Sequence, residues 1–235
     1  RRGQDPELYL DFALYAIICS IVGARIYYVI FEWDYYKENL LQIFNLRAGG
    51  LAIYGGVIAG AITMIVYTRV KKVSFFSMAD TGVLGLVTGQ IIGRWGNFFN
   101  CEAFGGYTDS LLAMRIRRSL VNDNMLNADV LSHKIVENGV EFIQVHPTFL
   151  YESCWNLCLL IFMLWFRKYK KYDGQMFWIY LFGYGTGRFW IESLRTDQLI
   201  LFGTGLAVSQ ALSLVLILVA AGNLIWRGRK HRQAA

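Results

Sequence analysis

The chain has 235 residues, 55% of them hydrophobic, and its 23 lysines and arginines against 17 acidic residues give a net charge of +6. So much apolar surface exceeds what one soluble core of this length needs, so the composition reads as a multi-span membrane protein and excludes an ordinary soluble enzyme. The positive balance is then a signal of membrane topology, and no nucleic acid is needed to explain it.

Six segments are long enough to cross a bilayer at about 20 residues each: roughly residues 8–31, 49–68, 76–100, 146–166, 174–192 and 203–226. Ahead of the first stands only the polar RRGQDPE, without an initiator Met, which gives the expectation that a seventh, N-terminal helix is missing. Basic residues cluster at Arg69, Lys71 and Lys72, at Arg167, Lys168, Lys170 and Lys171, and at Arg227, Arg229, Lys230 and Arg232. These clusters, with Arg1, Arg2 and the C-terminus, are expected to be cytoplasmic, and the loops around Glu32, Asp34 and Glu38 and from Glu102 to Glu141 to face outward. The fold class expected is therefore an all-α polytopic membrane protein of six transmembrane helices. Residues 1–235 would form a single integral membrane domain, with 101–145 inserted as a small extracytoplasmic head. Such a connection is far longer than a bundle loop, and its stretch GVEFIQV, Gly139 to Val145, alternates enough to predict a short β element. Arg115, Arg117 and Arg118 give the head a basic face, read either as a contact for anionic headgroups or as a solvated charge run.

Glycines four apart, Gly56 and Gly60 on one helix and Gly85, Gly89 and Gly93 on another, predict flat stripes where a neighbouring backbone approaches closely. The four cysteines lack metal-ligand spacing. Cys19, Cys154 and Cys158 read as small apolar fillers; Cys101, beside the motif below, reads as a filler or a reactive thiol.

Between Gly93 and Gly105 the chain reads GRWGNFFNCEAFG, which puts Arg94, Asn97, Asn100 and Glu102 at the end of an apolar span. Ionised side chains at that depth cost roughly 3 kcal/mol on insertion scales, so they mark a ligand path or a paired site. Two more blocks point to the same membrane face. HPTFLYE brings His146, then Tyr151 and Glu152 more than a turn down a helix that Pro147 can open. GYGTGRFWIESLRTD places Arg188 and Glu192 four apart, close enough to pair, with Arg195 and Asp197 beyond. Singly, Glu152 or Arg188 is explained as well by a structural ion pair; together, three polar clusters at the outer ends of three spans point to one site. Arginine forks bind phosphate bidentately and stay charged, so Arg94 and Arg188, steadied by Asn97 and the carboxylates, suit a phospholipid headgroup entering sideways. No Ser-His-Asp set, P-loop or metal motif is present in the sequence, which leaves phosphate binding or phosphate departure without a cofactor or a metal.

The Gly93–Gly105 block matches the signature of the bacterial prolipoprotein diacylglyceryl transferases at every specified position. GGLAIYGGVIAG from Gly49 to Gly60, HPTFLYE and GRFWIESLRTDQ resemble the other blocks of this family, in the same order. The resemblance implies seven helices in the bacterial cytoplasmic (inner) membrane, the active site toward the outer face, and a first helix, with its Tyr-Gly pair, absent here. It further implies transfer of a diacylglyceryl group from phosphatidylglycerol to the lipobox cysteine of a prolipoprotein signal peptide, giving a thioether and glycerol phosphate. The cations this family needs match Arg94 and Arg188, with Asn97, Glu102 and Glu192 as binding or orienting groups. Asn100, His146, Tyr151 and Glu152 complete the expected substrate site, and Tyr54 and Glu102 join the arginines as catalytic candidates. Many members carry histidine where this chain has Tyr54, and a phenol with a reference pKa near 10 is a poor base. The proton acceptor is thus Tyr54 activated by an arginine, Glu102, or the lipid phosphate, and His146 at the outer edge reads as structural. A single bundle with lateral lipid entry needs no partner subunit, so a monomer is expected. The alternative is a transporter or flippase for an anionic lipid or solute; the lack of an internal repeat and the gathering of polar residues at one face speak against it.

Overall fold

The structure, a computed structural model, describes residues 5–201 and 205–233, the side chains of 48 and 231–233 apart. Arg1 and Arg2 and the start of the span expected at 203 lie outside the described residues. In chain order the elements are α1 (Pro6–Phe31), short α2 (Trp33–Tyr36), α3 (Ile53–Val70), α4 (Phe75–Phe99), β1 (Met114–Arg117), short α5 (Ala128–Ser132), β2 (Ile135–Glu137), β3 (Val140–Val145), α6 (Thr148–Phe166), α7 (Gln175–Glu192) and α8 (Val208–Gln233). Five of them, α1, α3, α4, α8 and α6 with its extension to Tyr169, are long and apolar enough to cross a membrane. The protein is thus mostly helical and multi-pass, with a small sheet. α7 stands where the sixth span is expected and has 18 residues, but Gly183, Gly185, Gly187, Arg188 and Glu192 dilute its hydropathy, and it falls outside that set.

The chain forms two compact units, Arg1–Met78 and Ala79–Ala235. In the first, Asp5 caps α1 by accepting from the Glu7 N–H at 3.0 Å, with Pro6 opening the helix. α1 and α3 meet backbone to backbone: a Cβ on Gly55 would stand 2.4 Å from both the Gly23 carbonyl and the Tyr27 Cβ. Arg25 on α1 is buried without a carboxylate. Its guanidinium donates instead to the carbonyls of Gln42, Ile43, Asn45, Gly49 and Gly50 at 2.7–3.1 Å, folding the loop before α3 around itself. A buried charge is tolerable when its donors are used in this way. Gly50 must be glycine: its φ is +77° and a Cβ would lie 2.4 Å from the Arg25 Nη1.

The second unit is built on α4 from Ala79 onward, α6 and α7, whose core is Val83, Val87, Leu159, Met163, Met176 and Tyr180. α7 begins at Gly174, whose φ of +94° leaves no side chain to cap the helix. Asp80 on α4 serves instead, its Oδ2 accepting from the Gly174 N–H at 2.8 Å and its Oδ1 from the Phe177 N–H at 2.9 Å, while Lys170 Nζ lies 2.5 Å from that same Oδ2. Lys170, one of the basic cluster expected to be cytoplasmic, thus has its side chain only 6% exposed. The head folds as an antiparallel sheet in the order β1-β3-β2, and β3 is the predicted alternating stretch. Ile143 and Val145 turn from it into a core with Phe104, Ile116, Val121 and Val130. Arg115 pairs with Glu137 at 2.8 Å and Arg118 pairs with Asp123, so two of the three arginines of the expected basic face are neutralised.

The close approach expected of the glycine stripes is met on α3, where Ser20 and Ala24 approach Gly56 and Ser20 approaches Gly60. Among the described residues of the second unit, no atom lies within 4 Å of a Cβ built on Gly82, Gly85, Gly89, Gly93 or Gly96. Cys19, Cys154 and Cys158 stand on exposed helix surface instead of filling core gaps.

Asp80→Ala would take from Lys170 the buried one of its two carboxylates, leaving Asp173, and would leave the Gly174 and Phe177 N–H groups without their acceptor. Unfolding free energy in detergent is expected to fall by about 3 kcal/mol or more, while Asp34→Ala, at an exposed pair with Lys37, leaves it nearly unchanged. Denaturant titration of both variants checks this.

Candidate active site

The Gly93–Gly105 block starts in the last turns of α4 and then doubles back. Cys101 and Ala103 both adopt left-handed backbone, φ 53° and 56°, a conformation that costs a residue bearing a Cβ on the order of 1 kcal/mol. The Glu102 N–H returns to the Asn97 carbonyl at 3.0 Å. This curl turns the Glu102 carboxylate toward its own helix, where Oε1 accepts from the side-chain amides of Asn97 and Asn100, each at 3.1 Å. The Thr148 hydroxyl donates to the Ala103 carbonyl and holds the curl against the start of α6.

Gly105 and Gly106 then run between two other segments. The Gly105 N–H donates to the His146 carbonyl at 3.0 Å, the His146 N–H to the Gly106 carbonyl at 3.0 Å, and the Gly106 N–H to the Leu194 carbonyl at 2.9 Å. The end of the first block is thereby tied to the entry of α6 and the exit of α7, which is how blocks far apart in sequence come together.

At the centre lies Glu152 on α6, its side chain 5% exposed. One oxygen, Oε2, is 2.7 Å from Arg94 Nε; the other, Oε1, accepts from Arg188 Nη1 at 2.8 Å. Arg188 Nη2 also lies 2.6 Å from Glu192 Oε2, the pair expected from their spacing; the contact is close but not aligned as a hydrogen bond, so it acts through charge. Arg94 Nη1 reaches Asn97 Oδ1 at 3.4 Å, which links the arginine cluster to the Glu102 network. Arg94 Nη2 and Arg188 Nε have no protein partner among the described residues and stay available to an acceptor.

Around this core, Arg195 and Asp197 pair bidentately at 2.8 and 2.6 Å. Burial alone would lower the Arg195 pKa and raise that of Asp197. Their mutual hydrogen bond and charge outweigh it, so Arg195 is raised and Asp197 lowered, helped by Glu192 and Glu152 on one side and Arg188 on the other. His146 places Nδ1 3.2 Å from the Tyr151 hydroxyl, and burial pushes its pKa below the ordinary histidine value, which favours the neutral imidazole. Trp95 and Phe98 pack on Phe149 with ring centroids 5.3 and 4.9 Å apart, forming an apolar shelf beside the arginine helix. Tyr54 belongs to the first unit, where it is the second residue of α3 and half-exposed.

The structure therefore joins Arg94, Asn97, Asn100, Glu102, Glu152, Arg188 and Glu192 in one contact network, with the His146–Tyr151 pair on the same helix entry. Sequence reasoning assigned no role to Thr148 or Ala103 and read Cys101 as a filler or a reactive thiol, not as a left-handed turn residue; nothing in their residue types signals those backbone roles.

The family model for prolipoprotein diacylglyceryl transferase matches residues 1–226. The chain belongs to this family. A relative named phosphatidylglycerol–prolipoprotein diacylglyceryl transferase from Clostridioides difficile strain 630 is 45% identical over 99% of this chain and 83% of its own length. Relatives of the same name from Listeria welshimeri, at 42% identity over 98% of this chain and 78% of their own, and from Lysinibacillus sphaericus, at 41% over 100% and 82%, extend the match.

For this member of the family the Gly105 junction makes a direct demand. A Cβ there would stand 2.7 Å from the His146 Cβ and 2.8 Å from the Leu194 carbonyl, whereas one on Gly106 would meet nothing within 4 Å. Gly105→Ala is expected to lower stability by about 1–3 kcal/mol through overpacking, and Gly106→Ala to be close to neutral. Unfolding of the two variants side by side in detergent checks the difference.

Proposed function

We propose that this protein transfers the diacylglyceryl group of phosphatidylglycerol to the lipobox cysteine thiol of a prolipoprotein signal peptide, using the Arg94–Glu152–Arg188 cluster as its phosphate site. The observation that carries the reading is the shared carboxylate: Glu152 holds two guanidiniums side by side while each keeps a donor for an incoming anion. In the reaction a C–S bond forms, a C–O bond breaks, and the electron pair of that bond leaves on glycerol phosphate. Negative charge thus grows on the leaving phosphate as the bond opens, and preset donors stabilise it there. The thiol must also lose its proton, since the thiolate is the nucleophile. Glu102 is suited to receive it: Oε1 is held by two amides, and Oε2 has no protein partner among the described residues. Asn97 and Asn100 orient Glu102, Glu192 orients Arg188, and His146 with Tyr151 lines the entry. No cofactor or metal enters this scheme.

The rest of the arrangement follows the same reading. The site faces the outer side of the bacterial cytoplasmic membrane, α7 serves as the sixth span, the C-terminus is cytoplasmic, and residues 101–145 form the extracytoplasmic head of one membrane domain. Gly82, Gly85, Gly89, Gly93 and Gly96 share one face of α4, left without side chains and uncovered by the described residues of the second unit, and such a smooth face suits an acyl chain lying along the helix that carries Arg94. Substrate and product both move sideways, because each stays anchored in lipid, and a monomer suffices. The transporter alternative has no observation in its favour once the family is known.

Transfer of labelled diacylglycerol from phosphatidylglycerol to a lipobox peptide in detergent micelles tests the proposal. Arg94→Ala and Arg188→Ala are each expected to lower the rate by about 100-fold or more, the usual loss of one transition-state donor; near-parental rates in either would remove the phosphate site from Arg94 and Arg188. For the proton acceptor, Glu102→Gln is expected to abolish turnover and Tyr54→Phe to retain it. Turnover lost in Tyr54→Phe with lipid binding intact would make Tyr54 the base instead.

A further inference from the structure

A second place in the molecule joins cations to apolar surface. At the junction of α6 with α7, against the end of α8, a cavity of about 360 Å3 is lined by Phe166, Tyr169, Lys171, Leu224, Gly228 and Arg229. The basic residues around it divide into two groups. Lys170 is committed to Asp80 and Asp173. Arg227 donates from Nη1 to the Asp173 carbonyl at 3.3 Å and lies over the Tyr172 ring at 5.7 Å, while Lys230 lies over Trp226 at 5.8 Å. Lys171 and Arg229, the two cations that line the cavity, are exposed and face no carboxylate partner among the described residues. The Lys171 backbone is fixed, its N–H donating to Gln175 Oε1 at 2.7 Å, so its ammonium is presented from an anchored position.

The apolar part of the lining, Phe166 and Leu224, comes from α6 and α8, two of the helices able to cross a membrane. A site that combines cations with spanning-helix surface matches an amphiphile better than a soluble anion. Its volume fits a headgroup with the first carbons of its chains, being at the lower end for ligand cavities. Gly228 opens the floor, since no atom lies within 4 Å of a Cβ built on it.

We propose that this cavity binds an acidic glycerophospholipid, its phosphate between Lys171 and Arg229 and its chains leaving along Phe166 and Leu224. This is a non-catalytic lipid, separate from the one consumed at Arg94 and Arg188, and it braces the loop that Asp80 and Arg227 already hold. That it belongs to the cytoplasmic leaflet rests on the orientation proposed above; the binding itself does not.

The test is native mass spectrometry of the full chain in detergent after incubation with dioleoylphosphatidic acid and dioleoylphosphatidylcholine. The parent is expected to retain one more phosphatidic acid than the Lys171→Gln/Arg229→Gln double variant, with affinity at that site falling roughly tenfold or more, as two interfacial charges imply. Lys171→Arg/Arg229→Lys should restore binding, and Gly228→Leu, which only fills the space, should reduce it. Diacylglyceryl transfer measured on the same samples reports whether the arginine cluster is intact, so loss at one site is distinguished from loss at the other. Equal retention of phosphatidic acid by the parent and the glutamine variant, or equal retention of phosphatidylcholine by the parent, would overturn the proposal. Displacement of the lipid by millimolar inorganic phosphate would overturn it in favour of a soluble anion.

Discussion

One carboxylate shared by two arginines sets the terms for the second unit. Glu152 is nearly inaccessible, and an unpaired charge there would cost several kcal/mol. Arg94 and Arg188, without it, would repel one another across a poorly screened space. Each charge is tolerated only because the other two are present, so α4, α6 and α7 are held by a contact that none of them makes alone. The same arrangement bears on catalysis. With Glu152 and Glu192 beside them, the two arginines form a nearly neutral set, which holds a singly charged phosphodiester only moderately. A departing phosphate monoester carries more charge than the diester it came from. On the proposed reading, the free guanidinium donors would therefore act more strongly on the leaving group than on the bound lipid, which is the kind of difference that accelerates a reaction.

The two arginine helices are fixed at both ends. Asp80 stands 14 positions before Arg94 on α4, about 21 Å along the helix, and there it caps the start of α7, the helix that carries Arg188. At the other end Glu152 and the Gly105–Gly106 strap repeat the connection. Two helices joined near both termini cannot slide or splay without breaking a buried polar contact, so the distance between the guanidiniums is determined by the frame. Local strain at Cys101 and Ala103 is sustained within that frame.

What could be read from the sequence was what depends on near neighbours. Apolar runs located the helices within a few residues, alternation located β3, and the four-residue spacing of Arg188 and Glu192 foretold their contact because a helix brings such positions together. What could not be read depends on distant partners. Nothing near Glu152 says that Arg94, 58 positions earlier, will meet it, and nothing near Gly174 says that Asp80 will cap its helix. Lys170 looked like one more member of a cytoplasmic basic cluster because burial is a property of the fold, not of the charge cluster. α7 falls short of the hydropathy of the five long apolar helices because of its glycines and ionised groups, and the sequence does not show that Arg188 is paired within the protein with Glu152 as well as with Glu192. The assignment of the Gly93–Gly105 block was different in kind, resting on resemblance to a family; the curl at Cys101 and Ala103 lies inside that block and is invisible in it.

Glycine is used in two opposite ways here, and the contrast bears on how a lipid reaches the arginines. Between α1 and α3, Gly23 and Gly55 remove side chains so that backbones touch, and any Cβ would collide. Along α4, Gly82 through Gly96 remove side chains, and no other described element of the second unit packs on the face they leave. Tight contact makes a rigid pair, whereas an unfilled glycine face is a smooth track with little to obstruct a flexible chain. A substrate with two acyl tails has to bring its phosphate to Arg94 without leaving the bilayer, and the product leaves with the same tails attached to a peptide. A helix that carries guanidinium at one end and a face of glycines along its length suits both requirements on the proposed reading, because such a face offers no side chain of its own to hinder the tails while the headgroup is held.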